Sequence, residues 1–138
     1  MSGGLFRTDG GVRSSSGLNA SDAGIAEAWA KVRSEAAPET WLLLEYEGKD
    51  KLKLRGAGTE RPQLLASLAE DQVVFGALRT KAGKFLCLMC VGEEVGGMAK
   101  GRAAAHKNAA FNALEGTSGE VCGLSVRDFS QSLAEVDF

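Results

Sequence analysis

Seven consecutive apolar residues, Phe85-Leu-Cys-Leu-Met-Cys-Val91, constrain this chain more than any other stretch. Successive side chains of an extended strand point to opposite faces, so such a run has no face to give to water. It is too short to span a bilayer, and Gly92 stops it. The run predicts a central strand covered on both sides, and the rest of the chain must supply the covers.

The neighbouring segments suit that task. "QVVFGALRT" (72–80) is a second strand, joined to "KFLCLMCVG" (84–92) by the turn "KAGK". "TWLLLEYEG" (40–48) and "LKLRG" (52–56) form another hairpin, the second member alternating Leu52 and Leu54 with Lys51, Lys53 and Arg55. Helices fall between the pairs. Ser21 and Asp22 can cap a helix whose Ile25, Trp29 and Val32 share a face and which Pro38 ends. Thr59 can cap a second helix with Pro62 in its first turn. Residues 98–115 read as the longest helix, "EVCGLSV" (120–126) as a last strand and "RDFSQSLAEV" (127–136) as a terminal helix.

Hairpins separated by helices imply an α+β fold: a single mixed five- to six-stranded sheet sandwiched by helices. At 138 residues the chain fits one domain, placed at 21–138 after a flexible Gly/Ser-rich tail at 1–20. The sequence carries no secretory pattern and no membrane-length apolar run, so a cytoplasmic protein without integral membrane contact is expected. A net charge of −2 argues against a nucleic-acid binder.

Enzymatic chemistry finds little support. Cys87-Leu-Met-Cys90 has the spacing of a redox or zinc pair. Within a strand, however, residues three apart face opposite ways, and the chain offers only Cys122 and His106 as further soft ligands. A thiol-redox protein using Cys87 and Cys90 is the remote reading, and no metal or cofactor is expected. "GAGTER" lacks the third glycine of a dinucleotide fingerprint. His106 has no nucleophile assignable to it, and Glu93-Glu94 reads as a solvated turn.

Charge is distributed unevenly. Residues 77–107 hold six cations against Glu93 and Glu94, while from Glu115 onward five acids face Arg127 alone. Lys100 and Arg102 sit where a helix N-terminus is already partly positive, an arrangement unfavourable by a few tenths of a kcal/mol per charge. An acidic partner surface would relieve it. Along this helix Ala103, Ala110 and Leu114 share a face and Lys107 projects near it, so either the helix kinks near 104–107 or Lys107 lies at the stripe's edge.

Three stretches, "WLLLEYEGKDKLKLRGAG" (41–58), "VVFGALRTKAGKFLCLMCVGEEV" (73–95) and "MAKGRAAAHKNAAFNALEG" (98–116), resemble the actin-depolymerising factor homology domain, in particular its coactosin-like and drebrin-like branch. Lys84-Phe85, Gly92-Glu93, Val95, Lys100-Gly101, Ala104 and His106 stand at the matching places, and Cys90 stands where the family has tryptophan. The resemblance implies the cofilin-like fold, with gelsolin-like architecture, and a non-enzymatic monomer that binds the sides of actin filaments at the cytoskeleton. Carried over by position, it implies actin contacts at Lys84, Lys100, Arg102, His106 and Lys107, with phosphoinositides as possible competitors for the same basic patch. A cofilin-like severing factor is the alternative, disfavoured by "FNA" (111–113) where depolymerising members carry lysines late in the helix.

Overall fold

The Phe85–Val91 run is a strand with a neighbour on each side and a helical layer on each face. In the computed structural model, which describes residues 17–138, four helices and five strands follow the expected order. They are α1 (Ala23–Arg33), β1 (Trp41–Glu47), β2 (Lys51–Gly58), α2 (Arg61–Ala66), β3 (Val73–Arg79), β4 (Phe85–Val91), α3 (Gly97–Asn112), β5 (Gly119–Gly123) and α4 (Val126–Leu133).

One five-stranded sheet runs in the order β2-β1-β3-β4-β5. Every pairing is antiparallel except β4 with β5, which α3 connects as a parallel pair. The β1–β2 ladder shifts register at Leu43/Leu44, leaving Arg55 as the extra residue on β2. The guanidinium of Arg55 ties the bulge to Glu45 (2.8 Å) and Gln72 (2.6 Å) and to the Ser67 carbonyl (2.9 Å). The two sheet edges differ: β2 carries Lys51, Lys53 and Arg55 along its length, and β5 is short, five residues bounded by glycines.

Alternation divides the core in two. Leu42, Leu44, Phe75, Ala77, Cys87, Met89 and Val91 face α1 and α3, meeting Ile25, Trp29, Val32, Ala103 and Ala110. Trp41, Leu43, Val74, Leu78, Leu88, Cys90 and Val121 face α2 and α4, meeting Leu64, Phe129 and Leu133. Cys87 and Cys90 thus belong to different layers, as strand geometry requires. Burial is the main cause that raises both thiol pKa values, that of Cys90 to about 12. A protonated thiol on each side of a sheet cannot form a redox couple, and the remote redox reading is set aside.

Several boundaries differ from expectation. Leu18 is buried and Asn19 bridges Lys51, with the Leu52 N–H donating to the Asn19 carbonyl at 2.9 Å, so the folded unit starts before residue 21. The proposed tail is otherwise residues 1–16, outside the described residues. Glu60, not Thr59, caps α2: its N–H donates to Gln63 Oε1. Thr59 instead donates its hydroxyl to the Pro38 carbonyl. Helix α3 ends at Asn112, and the chain turns at Gly116 with φ of 96°. At α4, Ser125 Oγ accepts the Asp128 N–H at 2.9 Å.

Candidate partner-binding surface

Helix α3 lies on the sheet through a narrow stripe, Ala103, His106 and Ala110, continued by Leu114 beyond its end. These positions share one face of a continuous helix, and Lys107 lies half-buried at its edge, the second of the two alternatives. The ammonium of Lys107 pairs with Glu120 on β5 at 2.6 Å, and that hydrogen bond raises its pKa. His106 is 5% exposed, and its Nδ1 is hydrogen-bonded to the Tyr46 hydroxyl at 2.8 Å. It seats the helix on β1 and presents no ring to a partner, so among the five expected contact residues it alone is interior. Burial is the main cause that raises the Tyr46 pKa to about 12, with the charge of Arg102 acting against it.

The opposite face of α3 is open. Gly101, Ala104, Ala105 and Asn108 are exposed, and Met98 at the helix start is 85% exposed. A solvent-facing helix surface ordinarily carries long charged side chains; this one is smooth and nearly neutral. Lys100 and Arg102 flank it, and neither makes an ion pair among the described residues. The N-cap, Gly96, supplies no side-chain hydrogen bond, and the first turn holds no acid. The positive end of the helix is therefore uncompensated.

At the same end of the sheet as the segment leading into α3 comes the β5–α4 connection, where Leu124 is 69% exposed. Met98 and Leu124 are the two exposed large hydrophobic residues of the described chain. Sequence reasoning passed over both. Met98 read as an ordinary helix residue, and Leu124 lay inside an apolar stretch expected to be strand. The available signal was the short, glycine-bounded β5, which leaves Leu124 outside the ladder.

Lys84 stands apart. It is exposed at the start of β4, while Lys100 lies past that strand's other end, so roughly 20 Å of strand separates them. Cys87 Sγ lies 4.0 Å from the Phe111 carbonyl, which places Lys84 near the C-terminal end of α3. The expected residues thus form two basic positions at opposite ends of the long helix, with Lys107 already paired between them.

A mixed five-stranded sheet between two helix pairs is the architecture of actin-depolymerising factor homology domains. The profile of the cofilin/tropomyosin-type actin-binding proteins matches residues 17–134, and the chain belongs to that family. Coactosin from Dictyostelium discoideum is 29% identical over 109 residues, which cover 70% of this chain and 73% of that protein. Human coactosin-like protein superposes with a TM-score of 0.74 at 17% identity, covering 81% of this chain and 90% of the human one. Entamoeba histolytica coactosin gives 0.72 at 19% identity, covering 87% and 94%.

Proposed function

We propose that this protein is a non-enzymatic, coactosin-type binder of actin filament sides, acting as a monomer at the cytoplasmic cytoskeleton. The observation that carries the reading is the start of α3: an uncapped, uncompensated positive helix end beside an exposed methionine and a smooth glycine–alanine face. Lys100 and Arg102 would steer the domain onto an acidic filament surface. The open face of α3 allows close approach of a partner backbone, and Met98 and Leu124 supply exposed apolar anchors. Lys84 gives a second charged contact about one strand length away, a spacing suited to two adjacent subunits. Lys107, already paired with Glu120, contributes its stem more than its charge, and His106 acts by holding α3 in place.

The same cations would attract phosphoinositide headgroups in competition with actin. The last turn of α3 carries no basic residue, which favours side binding over severing. High-speed co-sedimentation with pre-formed filaments tests both. Pelleting of this protein with filament mass unchanged is expected; release of actin to the supernatant would point to a severing factor. Failure of the protein to pellet would refute the proposal.

A further inference from the structure

Met98, in the first turn of α3, and Leu124, in the β5–α4 connection, lie 26 residues apart in sequence, and neither side chain packs against the core. Their spacing must be set by backbone. Glu70, in the connection between α2 and β3, touches both segments through one atom. Its Oε1 accepts the Glu93 N–H at 2.8 Å, in the segment leading to α3, and the Val126 N–H at 3.0 Å, at the first residue of α4. Among the described residues no other side chain hydrogen-bonds to both segments. The backbone beneath is tied as well. The Glu94 N–H donates to the Glu70 carbonyl at 2.7 Å, and the Gly92 N–H to the Gln72 carbonyl at 2.9 Å.

We infer that Glu70 is the positioning residue of the docking face, fixing Glu93–Met98 and Leu124–Val126 relative to one another before a partner arrives. The inference rests on the reading of that face given above. A carboxylate is suited to the task. It can accept two N–H groups at once, and it sits at the N-terminal end of α4, where negative charge is favoured. The two backbone donors, Glu93 first, hold the Glu70 carboxyl below its ordinary pKa, so the clamp stays ionised at any neutral or mildly acidic pH. Two loops fixed in advance lose less freedom on binding than two that must be ordered by the partner. Glu70 itself need not touch that partner.

The test compares the full chain with Glu70→Ala and Glu70→Gln, using filament co-sedimentation and amide hydrogen exchange read residue by residue. In Glu70→Ala the Glu93 and Val126 amides should exchange faster while those of Phe75 and Leu88 stay protected, and filament affinity should fall roughly five- to tenfold. Glu70→Gln keeps an acceptor oxygen and should recover most of the affinity, which a mere loosening of the fold would not allow. Unchanged exchange at both amides in Glu70→Ala would overturn the clamp. Faster exchange with wild-type filament affinity would overturn its role in positioning. If the wild-type chain does not pellet, the filament reading fails, and the exchange data alone decide whether Glu70 joins the two segments.

Discussion

Adding one methyl group at Gly92 should damage this protein far more than adding one at Gly101. A Cβ on Gly92 would lie 2.2 Å from the Glu70 carbonyl oxygen, 2.3 Å from its carbon and 2.6 Å from its Cα, whereas ordinary contact begins at 3.4 Å. The obstacle is backbone, so no side chain can swing aside. The two segments must part by roughly 1 Å, which stretches the Gly92–Gln72 and Glu94–Glu70 hydrogen bonds out of range. Overpacking costs about 1–3 kcal/mol and each hydrogen bond about 1, so Gly92→Ala should lose about 3–5 kcal/mol. For a domain of this length that is a fall in Tm of roughly 10–20 °C.

Gly101 is the internal control. Nothing lies within 4 Å of its Cβ position, and it sits in the exposed face of α3, so Gly101→Ala should gain about 0.5–1 kcal/mol. Urea denaturation of both variants, with the midpoint moving at constant slope, measures the difference. A Gly92→Ala protein melting within about 2 °C of wild type would refute the close-approach reasoning. Gly101→Ala also reports on function: a more stable protein that binds filaments less well would place the helix face in the contact.

Other outcomes follow from the same geometry. Lys100→Ala and Lys84→Ala should each weaken filament co-sedimentation by about two- to fivefold at low salt, with the difference shrinking as salt is added and with no change in Tm. Met98→Ala should lower filament affinity at every salt concentration while leaving stability unaltered, because the side chain is 85% exposed. Tyr46 is the chain's sole tyrosine, so its ultraviolet titration is unambiguous and should have its midpoint near pH 12. Its neutral form is the one favoured by folding; the stability it contributes is full below the ordinary tyrosine pKa of about 10 and is lost as pH rises toward 12. A midpoint near 10 would contradict the burial. Thiol titration of the native protein should find Cys122 reacting first, with Cys87 and Cys90 reacting only as denaturant opens the two layers.

β4 was legible because its run is apolar on both faces, β2 because Leu52 and Leu54 alternate with charge, and α1 because Ile25, Trp29 and Val32 recur with a period near 3.6. Long-range contacts were not. Lys107 obscured the buried stripe of α3, since a lone histidine beside a lysine reads as surface until Tyr46, sixty residues upstream, supplies its hydrogen bond. Leu18 read as tail because a single leucine among glycine, serine and asparagine has no period. The basic positions were found by type, but their separation along β4 depends on the direction in which α3 returns across the sheet. Glu70 had no local signature, because both its partners are backbone groups contributed by distant segments.

The two sheet edges acquire a meaning once the protein is imagined at work. Proteins that line up along a polymer reach local concentrations far above those in bulk, and neighbouring copies are held still long enough for unpaired strand edges to find one another. Here β2 offers lysines and an arginine bulge along its free side, partly covered by Asn19, and β5 offers five residues with Glu120 locked to Lys107. Such edges make poor templates for a further strand. On the proposed function, copies bound side by side along a filament would part as separate molecules and not as a fused sheet.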